Sequence, residues 1–249
     1  MKSITVEVNP EVLEWLRESS GWKIEEVSKR LGISSETILD FETGKKSPTL
    51  TQLREMAALF KRPLASFFLP KPKQDKPLPK DYRFLPNRTG IFDKKTILAI
   101  RRSRSLQSIG KELSINIRYE TETKAEKVKL SEDPDAIARK YRDLFELSFE
   151  KQRKFKDAYK LFGYLRDVLE DSNVLVFQFS MPIEDARGFA LADELPSIVV
   201  INSKDIIEAR LFTLMHEFGH ILLGETVIDI PDESQANRDS IERWCNAFS

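Results

Sequence analysis

Met215-His216-Glu217-Phe218-Gly219-His220-Ile221-Leu222-Leu223 is the stretch around which the chain is arranged. It reads H-E-x-x-H inside an apolar run, and His216 and His220 are the only two histidines in 249 residues. A helical run would put both imidazoles on one face, one turn apart. Two neutral rings so placed can share one Zn²⁺ at about 2.0–2.1 Å each. Glu217 beside them has the reach to act as general base on a water. The plain alternative is a buried helix that carries two histidines. The whole histidine supply at ligand spacing argues for the metal.

Just upstream the pattern is that of buried strands. Val174-Leu175-Val176-Phe177-Gln178-Phe179, Gly188-Phe189-Ala190-Leu191 and Ser197-Ile198-Val199-Val200-Ile201-Asn202 are rich in β-branched and aromatic residues. The last, at a sheet edge, would accept a peptide as an added strand. Asp205–Leu223 reads as the long helix carrying the motif, ended by Gly224. A polar, acidic loop over 225–238 follows, and a last helix begins near Asp239.

Catalytic zinc takes three protein ligands and keeps a position open. With no other histidine, the third ligand must be a carboxylate or Cys245. Thr226 stands where the metzincin pattern requires its third His. Glu225, Asp229, Asp232, Glu233, Asp239 and Glu242 are the carboxylate candidates. Glu225 sits at the helix end and points poorly back along the face. Glu242 would arrive from the next helix, but Asp239-x-x-Glu242 also fits a capping box. Spacing alone does not choose between these.

Farther upstream, Asp133-Pro134 is a helix start, Asp at the N-cap and Pro at the first helical position. Ala136, Ile137, Tyr141, Leu144 and Phe145 form its apolar stripe, and a further helix runs from about Lys156 to Leu169. Lys94–Leu113 reads as helical, with Ile97, Ile100, Leu106, Ile109 and Leu113 apolar and Arg101, Arg102 and Arg104 on the other face. That basic face is either solvated or touches DNA. Between it and the N-terminal part, Pro70, Pro72, Pro77, Pro79 and Pro86 among many lysines favour an extended linker.

Residues 10–69 read as compact helices. Val12, Leu13 and Leu16 share a face after Pro10, and Gly21 stops the first helix. A second runs from about Lys23 to Leu31. Gly32-Ile33-Ser34 is a short turn with an N-cap serine, followed by a third helix from Ser35 to about Thr43. Pro48-Thr49 opens a fourth, and Leu64–Phe68 makes a short fifth. Helix, glycine turn, helix is the helix-turn-helix pattern. Lys23, Lys45 and Lys46 are its best phosphate candidates.

The totals allow two domains, with 41% apolar and 32% charged residues. Net charge is zero, so no global attraction to nucleic acid follows. Locally, residues 71–127 carry 15 basic and 7 acidic side chains, and residues 197–249 carry 4 and 9. The basic segment could add phosphate contacts. One cysteine excludes an internal disulfide. Without an apolar core in Met1–Asn9 or an 18-residue apolar run, neither a signal peptide nor a membrane span is expected, and the cytosol is the expected compartment.

Two resemblances extend this reading. Leu13, Arg17, Gly21, Val27, Leu31-Gly32-Ile33-Ser34, Thr37-Ile38, Glu42-x-Gly44-Lys45, Pro48-Thr49, Leu53 and Ala57 resemble the lambda-repressor-like, or XRE-type, family. That implies an Arg17–Glu42 ion pair, a third helix that enters the major groove, and Ser34, Ser35, Glu36, Thr37 and Asp40 facing it. Ile24 stands where the family often has a phosphate-bonding Gln. The carboxylates of Glu36 and Asp40 repel phosphate and accept only from donors such as cytosine N4. The alternative for this domain is protein binding or dimerisation.

Residues from about 130 to 249 resemble the ImmA/IrrE family of metallopeptidases. The carrying motifs are Arg187-Gly188-Phe189, Pro196-Ser197-Ile198-Val199-Val200-Ile201-Asn202, Arg210-x-Phe212-Thr213-Leu214-x-His216-Glu217-Phe218-Gly219-His220 and Glu242-Arg243-x-x-Asn246-x-Phe248. The resemblance implies His216, His220 and Glu242 as zinc ligands, Glu217 as base, and peptide hydrolysis. Family sequences continue with an apolar run ending in Met-Pro, so the resemblance implies a C-terminus that is incomplete or short.

The expected fold is mostly α with a small β-sheet (α+β): a helix-turn-helix bundle over 1–70, a linker over 71–95, and a zincin-like domain over 96–249. The expected function is a zinc-dependent, site-specific endopeptidase in a transcription-regulatory or stress-response circuit. It would act on a repressor-type protein and carry a DNA-binding domain, with room for a homodimer. The alternative is a DNA-binding regulator or antitoxin-like protein whose metal domain senses or is inactive.

Overall fold

The computed structural model describes residues 4–73, 92–118, 125–224 and 235–249, for the last segment without the side chains of 235–239. The chain divides into two compact units, one holding residues 1–76 and 92–98, the other the remainder. The proline-rich stretch expected as a linker falls mostly outside the described residues, as does the acidic loop with Glu225, Asp229, Asp232 and Glu233.

The first unit contains α1 (Pro10–Glu18), α2 (Ile24–Leu31), α3 (Ser35–Glu42), α4 (Leu50–Phe60) and a 3-10 turn at Leu64–Phe68. Local chemistry sets each boundary. Asn9 accepts the Glu11 N–H ahead of Pro10. Gly32 ends α2 in the left-handed region, where a side chain is disfavoured. Ser34 caps α3 by accepting the Thr37 N–H. Thr49 and Gln52 form a capping box for α4. Val12, Leu13, Leu16, Val27, Ile38, Phe41, Leu53, Met56, Phe60 and Phe67 form the core.

Arg17 lies under this core. Its Nε donates to Glu42 Oε1 at 2.7 Å, its Nη2 donates to Glu42 Oε2 at 2.9 Å, and its Nη1 donates to the Trp22 carbonyl. The two side chains are 9% and 7% exposed, so α1 and α3 are joined by a bidentate, largely desolvated pair.

The second unit contains most of α5 (Lys94–Asn116), then α6 (Pro134–Leu144), α7 (Phe149–Lys154), α8 (Ala158–Glu170), β1 (Val174–Phe179), β2 (Gly188–Leu191), β3 (Ser197–Asn202), α9 (Ile207–Leu223) and α10 (Gln235–Phe248). The fold is therefore mostly helical with one small mixed sheet. Helix α7 was not anticipated: its six residues are too few to show a helical period, and Ser148 caps it.

The sheet runs β1-β3-β2, with β1 parallel and β2 antiparallel to β3. Strand β3 is thus central and both its edges are paired, which overturns its expected role as a strand that accepts a peptide. Its six residues are all buried, which explains the unbroken apolar run. Among the described residues, β1 and β2 form the sheet edges.

Helix α5 departs from expectation in its faces. Ile109 and Leu113 are 58% and 56% exposed. The buried positions are Thr96, Ala99, Ile100, Ser103 and Gln107, so that of the expected apolar residues Ile100 is buried. The reason is polar: the Gln107 amide donates to the Glu194 and Pro196 carbonyls, and Arg104 pairs with Asp193. Arg104 is therefore not on a solvated basic face.

Candidate functional site

Helix α9 is buried nearly all round, from Thr213 through Leu222, as expected of a helix in the middle of a core. Two loops fix its start. The Arg210 guanidinium donates to the Asp205 and Ser203 carbonyls and to Gln178 on β1. Asn202, at the end of β3, donates to the Met181 and Ala186 carbonyls and accepts from the Met181 and Lys204 amides. Arg187 pairs with Asp205 at 2.7 Å. The Arg, Asn and Arg of the sequence motifs are thus braces of the frame beside the site.

Glycines set how closely the elements approach. A Cβ on Gly188 would lie 2.7 Å from the Val200 carbonyl oxygen, 2.6 Å from Thr213 Cγ2 and 3.3 Å from Glu217 Cγ. Its absence lets α9 rest on β2, with Glu217 against that strand. A Cβ on Gly219 would lie 3.2 Å from Cys245 Sγ and 3.3 Å from a Phe248 ring carbon. Its absence lets α10 lie against α9. Trp244 and Phe248 stack at 5.4 Å, Tyr141 and Phe218 surround Phe248, and the Trp244 indole N–H donates to the Glu132 carbonyl. These contacts hold α10 in place.

The close approach brings Glu242 over the two imidazoles. Its Oε2 is 3.3 Å from His216 Nε2 and its Oε1 is 3.3 Å from His220 Nε2, while the two Nε2 atoms are 3.2 Å apart. Among the described residues these three form the group able to hold a metal ion. The donor set fits zinc. For bonds of about 2.0–2.1 Å in tetrahedral geometry, neighbouring ligand atoms are about 3.3 Å apart. His216 is fully buried, and its Nδ1 has no hydrogen-bond partner among the described residues. Helix α10 begins at Gln235, so Asp239 lies inside it and is not the N-cap that the capping-box reading required.

The electrostatics reflect three convergent polar groups. Burial works against charge on His220, but hydrogen bonds with Cys245 and Glu242 hold its pKa well above 6.5. Burial likewise pushes Glu242 up, and hydrogen bonds from His216 and His220 outweigh it, holding the carboxyl well below its usual range. Burial raises the Cys245 thiol, opposed by the neighbouring His220. Sequence reasoning missed the roles of Gly188, Gly219 and Asn202. A lone glycine within an apolar helix was the available signal for Gly219.

In the first unit, Ser34 and Thr37 hydrogen bond to each other through their hydroxyls, and Asp40 pairs with Lys46 at 2.6 Å. Glu36 and Leu39 are exposed on the outward side of α3, Ser35 is half-buried, and Lys23, Lys45 and Lys46 are exposed. The Lys23 amide donates to Glu26.

A helix-turn-helix family model matches residues 13–67, and the model of the IrrE N-terminal-like domain matches residues 169–249. No curated protein and no solved structure matches the chain. The chain therefore joins a helix-turn-helix region to a domain of a peptidase family. No helix of the described residues is long and apolar enough to cross a membrane.

Proposed function

We propose that the chain is a zinc-dependent, site-specific endopeptidase of a cytoplasmic regulatory circuit, that it cleaves a repressor-type protein, and that residues 1–70 bind DNA. The observation that carries the reading is the convergence of His216 Nε2 and His220 Nε2, 3.2 Å apart, on the Glu242 carboxylate, which sets one oxygen 3.3 Å from each ring, with Glu217 on the same helix as the two histidines. These separations suit a tetrahedral ion.

His216 and His220 would hold zinc through Nε2 and Glu242 through its carboxylate. When bound, zinc supplies Lewis acidity toward the scissile carbonyl and lowers the pKa of a water toward neutrality. The Glu217 carboxylate takes the proton of the attacking water and returns it to the leaving amide nitrogen, so that the C–N bond breaks to an acid and an amine. Strand β2 is a sheet edge beside Glu217. The matching IrrE-like model supports a peptidase-family domain for this region.

For the first unit, Ser34, Ser35, Glu36, Thr37 and Asp40 would face the major groove, with Lys23, Lys45 and Lys46 on phosphates. The Asp40–Lys46 pair already occupies one of these lysines, which leaves Lys23 and Lys45 the stronger phosphate contacts.

The test compares wild type with Glu217→Gln for zinc content and for cleavage of a co-expressed repressor. The variant is expected to keep one zinc per chain and lose at least about a hundred-fold in cleavage. Equal cleavage by the variant rules out the mechanism. Zinc retained without cleavage by either protein points to a metal-sensing regulator instead.

A further inference from the structure

We propose that α3 reads two neighbouring base pairs, a cytosine through Glu36 and a thymine through Leu39. The inference rests on the reading of residues 1–70 as a DNA-binding domain and specifies what that domain recognises. Five side chains were expected to face the groove, and the structure narrows them. The Ser34 and Thr37 hydroxyls bond to each other, and the Ser34 hydroxyl also accepts the Thr37 N–H at the helix N-terminus. Asp40 is paired with Lys46, so its carboxylate is neutralised locally. Glu36 is exposed, and its charge acts on Lys46 only at a distance, Lys46 being hydrogen bonded to Asp40. Leu39 is 47% exposed, one turn along the same face. An apolar side chain left outward on an otherwise well-sorted helix is a contact without a partner in the unit itself.

The chemistry of the two side chains selects the bases. A carboxylate offers only acceptors. Guanine presents two acceptors in the major groove and adenine an acceptor beside its donor, whereas cytosine presents the N4 amino group as a donor. Thymine alone carries a methyl group there, which suits Leu39. Three residues along a helix advance about 4.5 Å, against a rise of about 3.4 Å per base pair. The two readers therefore address adjacent pairs. Because Glu36 also repels phosphate, it discourages binding where no amino group meets it, so that it acts mainly against wrong sequences.

The experiment selects duplexes from a random library with the full chain, then measures binding to the selected site and to single-base variants. The selected site is expected to contain a cytosine next to a thymine. Replacing that cytosine should weaken binding roughly five-fold or more, and replacing the thymine by deoxyuridine, which removes only the methyl, should weaken it measurably. Glu36→Gln should move the preference at the first position from cytosine to adenine, the base that Gln bonds through N6 and N7. Leu39→Ala should abolish the difference between thymine and deoxyuridine. Both positions are exposed, so folding of the variants is checked simply by an unchanged melting curve. A base preference unchanged by Glu36→Gln overturns the proposal while leaving DNA binding intact. Binding that depends on salt but enriches no sequence does the same. Failure to bind any duplex at low salt overturns both this proposal and the DNA-binding reading.

Discussion

Arg17 and Glu42 illustrate how much one buried pair decides. Glu42 ends α3 and Arg17 lies in the last turn of α1, and their bidentate contact ties the two helices together. Removing one partner leaves a desolvated charge, a far larger penalty than the pair's own net contribution. Glu42→Ala is therefore expected to destabilise the first unit by about 3 kcal/mol. The double replacement Arg17→Met with Glu42→Leu should cost much less, because no orphaned charge remains. Urea unfolding of the single and double variants checks this. Additive losses would show that the two groups act separately. Asn202 presents the neutral counterpart. It is fully buried with four hydrogen bonds to the loop between β1 and β2 and the turn after β3. Asn202→Ala strands several buried backbone groups and should cost about 3 kcal/mol, again read from the urea midpoint; a loss below about 0.5 kcal/mol would mean that the loop re-pairs its own backbone.

At the scale of elements, the candidate site depends on how closely α10 approaches α9. Gly219→Ala would place a methyl 3.2 Å from Cys245 Sγ and 3.3 Å from Phe248. Neither neighbour is free to retreat, since Phe248 is stacked on Trp244 and Cys245 is fully buried. The helix must move, and Glu242 moves with it. Zinc affinity measured by competition with a chelator should fall about ten-fold, the usual size of an effect transmitted through a ligand's support. Unchanged affinity would mean that α10 absorbs the methyl without shifting Glu242. This also marks what was legible in the sequence. Start signals such as Pro10, Ser34 and Asp133-Pro134 identified helix starts correctly because they are local. The i, i+4 histidines followed from helical period alone. The third candidate ligand did not, because it comes from another helix and depends on a tertiary approach that no local pattern encodes. The order of strands was equally hidden: the unbroken apolar run of β3 marked it as buried, while its central place depends on pairing with two segments at different distances along the chain. Helix α5 misled in its later turns, where Gln107 satisfies its amide within the unit and takes the inward place while Ile109 and Leu113 face outward.

For the whole molecule, the division into two compact units makes a metal a local stabiliser rather than a global one. A ligand that binds only the folded form adds RT ln(1 + [L]/Kd), about 4 kcal/mol at a thousand-fold excess over Kd. That energy belongs to the unit whose residues hold the ion, here the one containing His216, His220 and Glu242. For a unit of this size each kcal/mol corresponds to about 2–4 °C, so chelation should lower one thermal transition by roughly 8–16 °C. Hydrogen exchange followed segment by segment locates the change: protection in α9 and α10 should fall when zinc is removed, while α1 to α4 keep theirs. The same loss in α1 to α4 would show that the units unfold together, and no loss in α9 or α10 would show that the triangle of donors holds no metal. Restoring zinc to the Glu217→Gln chain should restore the protection fully, because Glu217 is assigned to proton transfer and not to holding the ion; incomplete recovery there would move Glu217 from the chemistry into the metal site itself.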